Sequence, residues 1–139
     1  MATANPTETP LWKKLGLRAG DDLLLIDPPE GWSVADPPEA VSTITETGEQ
    51  SGKCSAEVII AFCSRSAELL ERVPSLAPRI FPSGSIWVAW PRRAGGHRSD
   101  ITGERIRSVA LPLGLVDVKV AALDEHWSGL RLVWRRERR

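Results

Sequence analysis

Two short stretches could do chemistry. The first is "CSRS", where Cys63, Ser64, Arg65 and Ser66 follow the apolar run "AEVIIAF". The second is "WPRR", where Trp90, Pro91, Arg92 and Arg93 follow "SGSIWVA". Serines at a helix start offer hydroxyls beside free backbone N–H groups, a combination that can hold an anion. Arginines add charge and paired hydrogen bonds. The competing structural reading is that Ser64 or Ser66 caps the helix and the arginines are solvated. Cys63 also precedes that helix, where a thiolate would be stabilised; a small, buried cysteine at a strand end is the simpler expectation. The only histidines, His97 in "AGGHRSD" and His126 in "DEHWSG", belong to no nucleophile–base pattern and are expected to be loop and turn residues. The cysteines, Cys54 and Cys63, lack metal-ligand spacing.

Apolar runs must position these groups. "DDLLLID", "AEVIIAFCS" and "SGSIWVAW" each carry consecutive apolar residues, as in strands buried on both faces. "VSTIT" reads as a short β-branched strand. Successive strand side chains point to opposite faces, so Trp87 and Trp90 must face opposite sides of a sheet. Trp87 is expected in the core and Trp90 at the rim. "PLWKKLGL" reads as a short helix with Gly16 as its stop. "RSAELLERVPSLAPRIF" has helical spacing at Leu69, Leu70, Val73, Leu76, Ala77 and Ile80, with Pro74 and Pro78 pointing to a kink or to two short helices. "DITGERIRSVALPLG" reads as a helix capped by Asp100 or Thr102 and stopped by Gly114. "LVDVKVAALD" and "LRLVWRR" read as an antiparallel hairpin around the turn "EHWSG". In that segment Asp117 is expected to satisfy backbone groups, and Trp127 to clamp the hairpin.

Three buried strands joined by helical crossovers imply a small doubly wound α/β fold, β–α–β–α–β–α–β–β from residue 22, with a mostly parallel sheet and a C-terminal antiparallel hairpin strand. Residues 1–10 are expected to be a disordered tail, 11–135 a single α/β domain and 136–139 a basic tail. Ligands of such sheets bind outside the carboxyl ends of the parallel strands. The candidate rim is therefore Trp32, Ser64, Arg65, Ser66, Trp90, Arg92 and Arg93, with Asp27, Glu30 and Cys63 nearby.

Charge divides the 139 residues unevenly although the net charge is zero. Residues 1–60 hold 4 Lys and Arg against 10 Asp and Glu, and residues 61–139 hold 14 against 8. The basic end "RLVWRRERR" is expected to be a terminal strand plus solvated tail. Without a nucleic-acid-binding motif, nucleic acid is disfavoured as a partner. No apolar run approaches the roughly 20 residues of a membrane span, and "MATANPTETP" has no secretory pattern, so the cytoplasm is the expected compartment.

From Glu57 to Arg135 the order of elements resembles the second half of the Rossmann-like methyltransferase fold, in which strand, helix, strand and helix lead to a final hairpin. "LAPRIFPSGSIWVAW" resembles that family's helix ending in a proline-glycine turn, and "GLRAGDDLLLID" the run into its first strand. The resemblance implies a glycine-rich turn after that strand and a carboxylate at the end of the second. Here "DPPEGW" stands in place of the turn, and Glu46 is the only carboxylate for the second role. The expectation is a reduced fold that does not bind the methyl donor. "LGLRAGDDLLLIDPPEGW", "GSIWVAWPRR" and "GLVDVKVAALDEHWSGLRLV" together also resemble the short bacterial proteins grouped as domain of unknown function 3052, common in actinobacteria. That grouping implies no activity and supplies no catalytic residues. The expected function is a non-catalytic binding or regulatory module for a partner protein or a small anionic ligand, with no cofactor and no metal. The alternative is a small divergent transferase-like enzyme that uses the strand-end crevice.

Overall fold

The computed structural model describes residues 9–47, 54–92 and 99–139. The expectations for the first eight residues, for Arg93 and His97 and for most of the loop before Cys54 lie outside the described residues. The elements run in the order α1 (Leu11–Leu15), β1 (Asp22–Ile26), β2 (Ser42–Glu46), β3 (Val58–Phe62), α2 (Ser66–Leu76), a 3-10 turn (Ala77–Ile80), β4 (Ser85–Pro91), α3 (Gly103–Leu113), β5 (Leu115–Ala122), β6 (Trp127–Trp134) and a 3-10 turn (Arg136–Arg138). All six strands form one sheet in the order β2-β1-β3-β4-β6-β5. β2, β1, β3 and β4 pair in parallel, while β6 is antiparallel to both β4 and β5. The fold is the expected α/β class, with a mostly parallel sheet and a closing hairpin.

Alternation along the central strands divides the core in two. Leu24, Ile26, Ile59, Ala61, Ile86 and Val88 face α2 and α3, and meet Leu69, Val73, Ile106 and Ala110. Leu23, Leu25, Val58, Ile60, Phe62, Trp87 and Ala89 face the other way, toward Leu15 and Leu17. α1 has only five residues, Trp12 among them, so Trp32, Val34, Val41 and Trp127 cover the rest of that face. Trp87 is fully buried and donates its Nε1–H to Leu15 O at 3.2 Å. Trp90 is half-buried and packs on the opposite face, as the period of two requires.

Two details depart from expectation, the first crossover and the start of β6. The first crossover is not helical: residues 27–41 link the parallel strands β1 and β2 as an irregular loop. Pro28, Pro29, Pro37 and Pro38 block helical hydrogen bonding there, and Asp27, Asp36 and Ala40 have φ of 52°, 48° and 61°. The segment with Pro74 and Pro78 divides as expected into two pieces, an α-helix to Leu76 and a short 3-10 helix from Ala77. Proline at 74 leaves the Leu70 carbonyl without its helical donor, and Leu70 is an exposed residue on the outer side of the helix. β6 begins at Trp127, so Trp127, Ser128 and Gly129 belong to the strand and not to the turn. The basic end is a 3-10 turn whose residues are all exposed.

Candidate functional site

The carboxyl ends of β1, β3 and β4 meet where the chain changes direction across the sheet: β1 continues to β2 on one side, and β3 to β4 on the other. A crevice of about 350 Å³ opens there, lined by Pro29, Ser64, Pro91, His126 and Trp127. Its flank is aromatic. Phe62 at the end of β3 packs nearly perpendicular to Trp32 and to Trp127, with ring centres 4.9 and 5.0 Å away. Asp124 fixes this group from the hairpin turn. Its Oδ2 accepts from Trp32 Nε1 at 2.9 Å, and its Oδ1 accepts from the His126 and Trp127 backbone N–H groups at 2.7 and 2.8 Å. Arg92 donates Nη1–H to Asp124 O at 3.0 Å and its backbone N–H to His126 O at 2.8 Å.

A second, shallow hollow of about 570 Å³ shares Ser64 and is lined by Arg65, Ser66, Ala67, Ser99 and Asp100. The helix start is occupied by the chain itself. Neither serine is the cap: the N-cap of α2 is Arg65. The Glu68 carboxylate accepts from the Ser64 and Arg65 backbone N–H groups at 2.9 and 3.1 Å, and Asp100 Oδ1 accepts from Ser66 N at 2.8 Å. The Ser66 hydroxyl donates to Asp100 Oδ2 at 2.5 Å. Those bonds hold the Asp100 carboxyl below the usual carboxylate range. The donors an external anion would use at Ser64 and Ser66 are therefore already given to carboxylates.

The seven rim candidates consequently divide. Trp32, Ser64 and Arg92 stand on or behind the crevice. Arg65 and Ser66 stand at the second hollow, and Trp90 packs on the α2–α3 face. Arg93 lies outside the described residues. Cys63 is fully buried, and burial is the main cause that pushes its thiol up to about 11, against the lowering effect of Arg72. A thiol so placed is not a nucleophile at neutral pH. Thr102 caps α3, accepting from Arg105 N at 3.2 Å, and Asp117 pairs with Arg107 of α3 at 2.9 Å, where the expectation had it serving backbone.

Arg72 was not singled out in the sequence, yet it closes the end of β1. It is ion-paired with Asp27, lies 2.8 Å from Glu68 and donates to Phe62 O at 2.6 Å. Only the Glu68–Arg72 spacing of four on one helix face was a visible signal. Glu46 is likewise committed: Arg79 meets it with two bonds, of 3.0 and 2.8 Å, and also donates to Cys54 O.

No protein-family model and no curated protein matches this chain, so the resemblance to domain of unknown function 3052 gains no support there. Solved structures do match. An O-methyltransferase of neocarzinostatin biosynthesis, complexed with S-adenosylmethionine and a naphthoic acid, aligns with a TM-score of 0.59 at 9% identity, over 89% of this chain and 50% of that one. A possible exported protein from Bordetella parapertussis aligns at 0.61 and 9%, over 89% and 65%. Magnesium protoporphyrin IX methyltransferase from Synechocystis with bound S-adenosylmethionine aligns at 0.58 and 10%, over 90% and 74%. The fold is Rossmann-like. This chain spans half of the first of these proteins and 65% of the second.

The residues present do not fit the S-adenosylmethionine held by the two methyltransferase structures. The turn after β1 is Asp27-Pro28-Pro29, and proline has no N–H to offer a ligand. The Asp27 carboxylate is bound by Arg72, and the Glu46 carboxylate at the end of β2 by Arg79.

Proposed function

We propose that this chain is a divergent transferase-like domain that holds a small molecule in the crevice at the carboxyl ends of β1, β3 and β4. The observation that carries this reading is the position of the crevice at the switch point of the sheet, where open α/β folds bind their ligands. The lining supports a ligand with a flat apolar part: Trp127 offers an aromatic wall, while Ser64 and His126 offer polar contacts. Methyltransferases among the structural neighbours support transferase-like chemistry over a purely non-catalytic module. The second reading, a non-catalytic module for a partner protein or a small anionic ligand, is favoured by one feature. The carboxylates best placed for cofactor binding, Asp27 and Glu46, serve ion pairs instead.

A thermal-shift screen of nucleotides, S-adenosylmethionine and phosphorylated metabolites tests the proposal. A ligand at 100 times its Kd adds about 2.7 kcal/mol, and Trp127→Ala or His126→Ala should abolish the shift given by any true ligand of the crevice. A ligand whose shift survives both substitutions would place binding elsewhere and sink the crevice assignment. S-adenosylmethionine is expected to give no shift, and micromolar binding by calorimetry would reinstate methyl transfer.

A further inference from the structure

Two arginines packed into this protein are matched by acids: Arg72 by Asp27 and Glu68, and Arg79 by Glu46. Arg131 is not. It stands in β6 opposite Trp87 of β4 and Lys119 of β5, so it rises on the face that α1 covers. Its guanidinium lies across the C-terminal end of α1, where a Cβ placed on Gly16 would be 3.2 Å from Nη2. Nε is buried without a hydrogen-bond partner.

Other cations gather along the same seam. Lys119 Nζ lies 3.4 Å from Lys14 O, and Lys14 Nζ lies 3.5 Å from Ala122 O, both weak contacts. Arg18 follows α1. Its neighbour Asp21 accepts from the Arg18 backbone N–H at 2.8 Å and makes no ion pair with the guanidinium. Among the described residues, none of Lys14, Arg18, Lys119 and Arg131 is ion-paired. Burial, and then the like charge of Arg18, hold Arg131 below the ordinary arginine range.

Capping of α1 does not account for Arg131. Trp12 O already accepts from Leu17 N, Lys13 O from Gly16 N, and Leu15 O from Trp87 Nε1. A partly desolvated guanidinium whose buried Nε–H has no partner, beside a second positive charge, is destabilising by itself. An anion would reverse both effects, and the guanidinium fork suits the paired oxygens of phosphate or carboxylate. We propose that the seam between α1 and the β5–β6 hairpin binds an oxyanion, the phosphoryl or carboxylate group of a small ligand, with Arg131 as the central donor and Arg18, Lys14 and Lys119 around it. This site stands mid-strand on β6, apart from the strand-end crevice, and does not depend on the function proposed for it.

Sodium phosphate and sodium succinate, each titrated against sodium chloride of equal ionic strength, provide the test, followed by amide and arginine Nε–H resonances. Saturable shifts are expected at Gly16, Arg18, Lys119 and the Arg131 side chain. Stronger phosphate binding would identify a phosphoryl ligand, and stronger succinate binding a carboxylate. Arg131→Met should weaken binding at least about tenfold with no loss in melting temperature. If that variant does not fold, the double variant Arg18→Gln with Lys119→Gln, which leaves Arg131 in place, should show the same weakening. Shifts no larger than those with chloride, shifts spread equally over Arg135–Arg139, or binding that survives these substitutions would overturn the proposal.

Discussion

Trp87 and Trp90 stand three residues apart on one strand and should respond differently to loss. Trp87→Ala empties a fully buried site and removes the bond to Leu15, so it should cost about 3–5 kcal/mol in denaturant unfolding. Trp90→Ala, at a half-buried position, should cost no more than about half as much. Equal losses would place Trp90 in the core. The same indole explains Gly129: a Cβ there would meet Trp87 Cε3 at 2.9 Å and Leu123 Cγ at 3.1 Å. Gly129→Ala should therefore destabilise by about 1–3 kcal/mol through overpacking. The two cysteines should also separate. Cys54 is exposed and Cys63 buried, so a thiol reagent at neutral pH should modify one thiol rapidly and the second only on unfolding. Because folding raises the Cys63 thiol from 9.0 to about 11, its contribution is fully present below pH 9 and is lost as pH rises toward 11. Reaction of both thiols at one rate would contradict the burial.

At the scale of elements, the Glu46–Arg79 pair ties edge strand β2 to the 3-10 turn before β4. Side chains of 15% and 7% exposure make it a largely desolvated pair. Glu46→Ala should cost about 3–5 kcal/mol by leaving Arg79 uncompensated, whereas Glu46→Leu with Arg79→Met should recover most of that loss. Additive losses in the double variant would show that the pair is not the source of the stability. The strands of the central sheet were legible because runs such as Leu23–Ile26 have no polar residue to expose. α3 was legible from Thr102 and Gly114, which do cap and stop it. The loop after β1 was not, because its path depends on left-handed residues such as Asp36 and Ala40 that carry no glycine signal. The crevice was half legible: Trp32 and Ser64 follow from strand ends, but Asp124 reaches Trp32 across 92 positions, and no local pattern announces that bond.

For the whole molecule, the tail beyond Trp134 contributes exposed arginines whose ion pairing among the described residues is local, Arg135 with Glu137 at 3.8 Å. Truncation after Trp134 should shift the melting temperature by no more than about 2–4 °C. A collapse in soluble yield would show that the basic end serves the fold. The doubly wound layout came through from the alternation of strands and helices, but one layer is much thinner than that alternation suggests. Opposite α2 and α3, the sheet carries a helix of five residues, and four of the six tryptophans lie on that side, Trp12 on the helix, Trp87 on the sheet and Trp32 and Trp127 beside them; Trp90 and Trp134 lie on the thicker side. The molecule therefore carries a built-in optical asymmetry. Its intrinsic fluorescence reports chiefly on the thin layer, while far-ultraviolet circular dichroism reports chiefly on the helices across the sheet. Coincident melting curves from the two signals would mean that the layers come apart together, and an earlier fluorescence midpoint would mean that the tryptophan layer loosens first.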